Sequence, residues 1–193
     1  MELRATPLWM TDIRSEDDRE FVQVLARAIS GDLSAFEQIV IRYQRRVLTL
    51  AWRLLGSGED AQDASQEVFM RAFRFLHKFD STRPFEPWLI QLTVNVCRDI
   101  GRKRTVTVFL DADALQARSD PHMELSSEEQ KAMLRRALQE LPEKERAAVV
   151  LRDIEGFSTR EVAEILGSSE ATVRSQISTA RLKIRKALKR RRL

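Results

Sequence analysis

Three groups of residues in this 193-residue chain have types and spacings that could do chemistry. The first lies in residues 59–67, which hold four acids and no base. Asp60, Asp63 and Glu67 recur at i, i+3 and i+7, with Gln66 between them, so they share one face of a helix. Such a set suits a metal site, a carboxylate pair for acid–base work, or a face for a partner. It lacks the paired Glu-x-x-His pattern of di-metal bundles, and His77 and His122 are isolated. A solvated acidic face is the plain reading, and a partner-docking face the sharper one. The second group is Phe79, Phe85 and Trp88, followed by Asn95, Arg98, Asp99, Arg102, Lys103 and Arg104. Helical spacing assigns most of the aromatics to a core. Aromatic faces beside Arg and Asn also suit stacking on a single strand and capture of a base. The third group begins at Arg174, from which nine Lys or Arg and no acid run to the end.

The elements that must position these groups are helices. Apolar residues recur at helical spacing, alternating patterns are scarce, and no Asn-Gly or Asp-Gly hairpin signal occurs. The fold class is therefore all-α. A first helix over 18–30 carries Phe21, Val22, Leu25 and Ile29. Ser34 with Glu37 has capping-box spacing for the next helix, which ends at Gly56-Ser57-Gly58. A third helix spans about 59–76 with the stripe Ala61, Ala64, Val68, Ala72 and Leu76, widened by Phe69 and Phe73. Residues 80–84 form a loop, and a fourth helix spans 85–102. Residues 105–126 then turn acidic and polar and contain Pro121, as expected of a linker; the apolar run 106–110 could instead be a strand.

Past the linker, residues 127–141 are helical and Pro142 sits at the start of the next helix. A helix, short turn and second helix follow at helix-turn-helix spacing. Ser158 and Glu161 form a capping box, Ala163 permits close helix approach, Gly167 supplies a left-handed turn, and Ser169 caps the second helix. Val173, Ile177, Ala180, Ile184 and Leu188 form its buried stripe. Arg174, Ser175, Ser178 and Arg181 then face outward, where such a helix meets base edges in the major groove. Arg174 is the candidate for a bidentate contact to guanine. Lys183, Arg185, Lys186 and the basic residues 189–192 would neutralise phosphates. A small helical bundle with a solvated basic tail is the plain alternative.

Composition bounds the rest. Hydrophobic residues make up 43% and charged residues 32%, with net charge +4, a globular balance with a modest basic excess. The single cysteine, Cys97, excludes an internal disulfide and any multi-cysteine zinc site. It reads as a small core residue, with a redox sensor as the alternative. No apolar run approaches the roughly 20 residues of a membrane span, and the first residues lack the order of a signal peptide. The chain is expected to be soluble and cytoplasmic, with no membrane insertion, cofactor or metal. Its expected organisation is a polar extension over 1–17, a helical domain over 18–104, an acidic linker over 105–126 and a helix-turn-helix domain over 127–193.

Taken together, the pieces GDLSAFEQIVIRYQRRV, DAQDASQEVFMRAF, FEPWLIQLTVNVCRDIGRKR and LPEKERAAVVLRDIEGFSTREVAEILGSSEATVRSQISTARLKIRKAL resemble the extracytoplasmic-function (ECF) sigma factors. These are the minimal group of the bacterial sigma-70 family. The resemblance covers about residues 18–188. It implies a transcription initiation factor, not an enzyme, that binds core RNA polymerase, confers promoter specificity and helps open the duplex. The first domain would be region two, its helix docking on the β′ clamp through Asp60, Asp63, Gln66 and Glu67. The loop holding Asp80, Ser81, Thr82 and Arg83 would cradle an unstacked base of the minus-ten element. Asn95 would help recognise that element, and Trp88, Arg98 and Arg102 would support melting and backbone contact. The second domain would be region four, touching the β flap and reading the minus-thirty-five element through Thr172, Arg174, Ser175, Ser178, Thr179 and Arg181. Relatives often carry a basic or aromatic residue where this chain has Gln176, Ser178 and Thr179, which leaves its preferred promoter sequence open. An anti-sigma partner is expected. The competing readings are a dimeric helix-turn-helix regulator and a carboxylate-dependent helical enzyme. The first does not explain the acidic and aromatic–Asn faces, and the second has no converging ligand set.

Overall fold

The computed structural model describes residues 16–108 and 127–190, which hold eight α-helices and no strand. These are α1 (Glu16–Ile29), α2 (Leu33–Leu55), α3 (Gly58–Phe75), α4 (Phe85–Val108), α5 (Ser127–Gln139), α6 (Glu143–Val149), α7 (Thr159–Leu166) and α8 (Glu170–Arg190). Residues 1–15 of the expected polar extension and most of the expected linker lie outside the described residues, as does His122; Glu16 and Asp17, placed in the extension, already belong to α1.

Local chemistry sets the helix ends. Asp32, not Ser34, caps α2: its carboxylate accepts the N–H groups of Ser34 (2.9 Å) and Ala35 (3.1 Å). A carboxylate has more acceptor sites than a hydroxyl and favours the positive helix end. The Ser34 hydroxyl donates to it as well (2.8 Å), and Arg27 clamps it at 2.6 Å. These hydrogen bonds hold the Asp32 carboxyl well below the usual range. Gly56 ends α2 with φ +75°, a conformation that only glycine adopts without strain. Ser57 then caps α3. Helix α3 closes into a 3₁₀ turn over Leu76–Lys78. Helix α4 continues to Val108, past the expected end near residue 102. Residues 106–108 are thus helical, not a strand, since neither Gly101 nor any proline interrupts the hydrogen-bond ladder.

Helices α1 to α4 pack as one bundle around Ile39, Val47, Leu50 and Ala51 of α2, all essentially inaccessible. The α3 face that meets α2 is Ala61, Ala64, Val68 and Ala72, so the two backbones approach closely. Leu89, Ile90, Val94 and Cys97 complete the core from α4. Thr93 is fully buried and donates its hydroxyl to the Leu89 carbonyl at 2.8 Å, so that hydroxyl is not stranded. Helices α5 to α8 form the second bundle, built on Ala148, Leu151, Val162, Val173 and Ala180. Its α6 ends in a widened turn over Val150–Ile154, in which the Glu155 N–H reaches the Val150 carbonyl (2.9 Å). The bundles touch where α7 meets α4 and where α5 and α6 meet α2.

Burial pushes the Cys97 thiol up to about 12, which leaves almost no thiolate for oxidation. The core reading of Cys97 therefore fits and the sensor reading does not. Iodoacetamide at pH 8 is expected to leave Cys97 unmodified in the native protein and to modify it fully in denaturant, read by intact mass. Truncating Leu50 to Ala should lower the unfolding free energy by about 2–5 kcal/mol, measured by denaturant titration.

Candidate functional site

The helix-turn-helix follows directly from its caps. The Ser158 hydroxyl accepts the Glu161 N–H (3.2 Å) while the Glu161 carboxylate accepts the Ser158 N–H (2.7 Å). Gly167 takes φ +60°, and the Ser168 N–H returns to the Ala163 carbonyl (2.9 Å). Ser169 accepts the Thr172 N–H at 3.1 Å and opens α8. Val173, Ile177 and Ala180 are buried; Ile184 and Leu188 are only half-buried, because α8 runs on past its supports. Thr172, Arg174, Ser175, Ser178, Thr179 and Arg181 are all exposed on α8, and Gln176 is half-buried.

Three of the α8 cations are engaged within the protein. Arg174 bonds Glu170 of its own helix (2.6 Å). Arg181 makes a forked pair with Asp153 (2.8 and 2.6 Å), and Lys183 bonds Glu145 (2.7 Å). The pairing holds the Asp153 carboxyl low. Pairs this exposed contribute about 0–1 kcal/mol each, so a polyphosphate backbone can replace the acids.

On α3 the predicted acidic residues part company. Asp63 and Gln66 are exposed, and Asp60 is half-buried beside the Ser57 cap. Glu67 instead bonds Arg71 (2.6 Å), which also bonds Asp99 of α4 (2.9 Å). Arg71 therefore ties α3 to α4, with Glu67 holding it from within its own helix. The outward stripe continues through Met70 and Phe73, 59% and 49% exposed. Phe73, expected in the core stripe, stacks edge-on with Phe36 of α2 at 5.1 Å on the surface. The exposed stripe is thus acidic at one end and apolar at the other. Its apolar end was missed because hydrophobicity alone does not separate a core side chain from an exposed one; the outward phase of 63, 66, 70 and 73 could have.

The 80–84 loop is preformed. The Asp80 carboxylate accepts the Thr82 hydroxyl (2.6 Å) and N–H (2.9 Å), which hold its pKa low. Asp80, Thr82, Arg83 and Pro84 are exposed, and Ser81 is half-buried. Beneath the loop, Phe79 and Phe85 are buried and Trp88 is half-buried, with ring centroids 5.1–5.6 Å apart. Trp88, Asn95, Arg98 and Arg102 lie on one face of α4, about 21 Å from first to last at 1.5 Å per residue. Asn95 and Arg102 are exposed; Arg98 is not free, since its Nε donates to Glu143 of α6 (2.7 Å). Among the described residues no cluster of His, Cys, Asp or Glu could hold a metal ion. No helix there is long and apolar enough to cross a membrane.

The Asp80 turn generates a pH prediction. Its folded pKa is lowered, so the stabilisation is present above the ordinary carboxylate range and is lost as pH falls through the folded value. Backbone amide exchange at Thr82, compared with Asp80→Ala, should show protection at neutral pH that disappears in acid, and none in the variant.

Comparison with known proteins identifies the family. Residues 39–107 match the family model for sigma-70 region 2, and residues 131–184 match that for sigma-70 region 4. The chain is 33% identical over 188 residues to the RNA polymerase sigma-H factor of Pseudomonas aeruginosa, covering 91% of this chain and 96% of the relative. It is 35% identical over 175 residues to the ECF RNA polymerase sigma-E factor of Escherichia coli, covering 82% and 90%. Among solved structures it is similar to CnrH in complex with the cytosolic domain of CnrY, with TM-score 0.65, 30% identity and 87% and 96% coverage. The sigma factor RpoE with the anti-sigma factor NepR from Bartonella quintana shares the fold, at TM-score 0.68, 24% identity and 81% and 98% coverage. With a region 2 and a region 4 in one chain and relatives of this identity along nearly its whole length, the chain belongs to the sigma-70 family, as a sigma factor of the ECF type.

Proposed function

We propose that this protein binds core RNA polymerase, directs it to specific promoters and assists opening of the duplex, while the polymerase supplies the catalysis. The observation that carries this reading is the presence of two distinct exposed faces on two family-matched bundles: the loop and α4 face of one, and the α8 face of the other. The stripe of Asp63, Gln66, Met70 and Phe73 would dock on the β′ clamp, its acidic end giving orientation and its apolar end area. Asp60 and Glu67 would support that stripe. The 80–84 loop would receive an unstacked minus-ten base; unstacking costs a few kcal/mol, which a preformed pocket must offset. Asn95 would read that element, with Arg98, Arg102 and the Trp88 edge beside the strand. Thr172, Arg174, Ser175, Ser178, Thr179 and Arg181 would face the minus-thirty-five element, and the same bundle would meet the β flap. The proposed domains are 16–108, widened from 18–104 by the observed ends of α1 and α4, and 127–193.

The structural relatives are solved with partner proteins, one of them named an anti-sigma factor. An anti-sigma partner for this chain is part of the proposal, as is a cytoplasmic place of work beside the polymerase. Held together on polymerase, the two DNA contacts become effectively intramolecular, so promoter binding by the free chain should be weak.

Co-purification with core RNA polymerase tests the reading. The wild type is expected to bind, and Asp63→Arg with Met70→Arg to lose at least about tenfold in affinity, since both residues are exposed on the stripe, one at its acidic end and one in its apolar part. Unchanged circular dichroism would confirm that the variant folds. A wild type that fails to bind would overturn the function.

A further inference from the structure

The loop over residues 80–84 presents polar side chains to solvent, yet both of its ends rest on buried rings. Phe79 precedes the loop and Phe85 follows it. Their rings meet edge-on, with centroids 5.6 Å apart and planes at 80°. Trp88 lies against both, at 5.1 and 5.4 Å. The ring pair thus ties the two ends of the arch together. Within the arch, Thr82 donates twice to the Asp80 carboxylate, and the Arg83 N–H donates to the Asp80 carbonyl (3.0 Å).

The ring pair is itself held from α1. Tyr43 of α2 lies 5.5 Å from Phe85, and Phe21 of α1 lies against both Tyr43 (5.6 Å) and Phe85 (5.7 Å). The Arg42 guanidinium sits over the Phe21 ring, 4.7 Å from its centroid, and stands 3.9 Å from Asp17 at the start of α1. Phe21 is therefore fixed by a cation and two rings. Helix α1 also packs on the Leu76–Lys78 turn that leads into Phe79. Its other apolar residues have a different task. Val24, Leu25 and Ala28 are buried in the bundle core and hold the helix there, whereas the half-buried Phe21 gives its ring to the cluster.

We infer that α1 positions the base-receiving loop, with Phe21 as a positioning residue that acts through Phe85. The inference rests on the reading of the 80–84 loop as the receiver of an unstacked base. A captured base gains only what is left after the loop is ordered, so a loop ordered in advance binds it more tightly. In a close-packed cluster a ring cannot turn unless its neighbours give way. Phe21 and Tyr43 together restrict the Phe85 ring, and Phe85 anchors the end of the loop. Truncating Phe21 leaves a void beside Phe85 and frees that anchor. The stripe of Asp63, Gln66, Met70 and Phe73 lies on α3, outside this cluster, so polymerase docking should be unaffected.

The test has two readouts. In the free full-length protein, backbone amide exchange at Thr82 and Arg83 should be about tenfold faster in Phe21→Ala, which deletes two ring pairs. Phe21→Tyr keeps the ring and should keep the wild-type rate. Leu25→Ala removes a core side chain of the same helix and should lower global stability without changing these two amides, which exchange by local opening. Phe21→Leu fills part of the volume without a ring. It should fall between Phe21→Ala and the wild type, and it carries the test if Phe21→Ala does not fold. The second readout uses holoenzyme assembled from the full-length protein and core polymerase. It selects from duplex DNA randomised across both promoter elements. At equal polymerase binding, Phe21→Ala should reduce enrichment at the most selective minus-ten position at least about fivefold and leave minus-thirty-five enrichment within about twofold. Phe21→Tyr and Leu25→Ala should select as the wild type does. Unchanged exchange in Phe21→Ala, an equal effect of Leu25→Ala, or an equal loss at both elements would reduce Phe21 to core packing and overturn the inference. A wild-type holoenzyme that selects no sequence would overturn the promoter reading and the inference with it.

Discussion

Burial of one seam of α2 sets the positions of the other elements. Ala35, Ile39, Val47, Leu50, Ala51 and Leu54 recur along 23 residues and leave water almost completely. At roughly 25 cal/mol per Å² of apolar surface, that stripe outweighs any single polar contact in the molecule. The alanine face of α3 and the aliphatic face of α4 can close on it in only one register. That register turns Asp63 and Met70 outward on α3, and Asn95 and Arg98 toward the far side of α4. The candidate sites are thus the outward residue of inward packing. The C-terminal half of α2 has a second task, because Arg46 and Arg53 project from it into the contact with the other bundle.

Electrostatics gives the candidate surfaces their character. The net charge is only +4, yet the sequence segregates its charges into acidic and basic stretches. Folding then places acids against the basic groups that would meet nucleic acid. Arg98, Arg174, Arg181 and Lys183 each hold a carboxylate in the structure. Such pairs are weak near the surface, where solvent and salt screen them. Were these groups to meet nucleic acid, phosphates would have to replace the carboxylates already seated. Exchange lowers net affinity for arbitrary polyanions and leaves room for groups that read shape and sequence.

Much of this was legible along the chain. The capping box at Ser158 and Glu161, the left-handed turn at Gly167 and the cap at Ser169 are local signals, complete within a few residues, and each stands as expected. The α3 stripe from Ala61 to Ala72 likewise follows from its period. Errors arose where two local choices compete or where length decides. Asp32 and Ser34 both suit a cap, and the neighbouring Arg27 favours the carboxylate. The end of α4 has no breaker to mark it.

The sequence by itself determined the helices, the caps of the helix-turn-helix and the candidate residues on each face, because these depend on period and on neighbours within one or two turns. Only the tertiary structure decided which candidates are engaged and by what. Arg71 belongs to Asp99 of α4, Phe73 to the surface with Phe36, and Arg98 to Glu143 forty-five residues away. Those pairings depend on where separate helices come to rest. That placement is set by the joint burial of several stripes, which no single stretch of the chain contains.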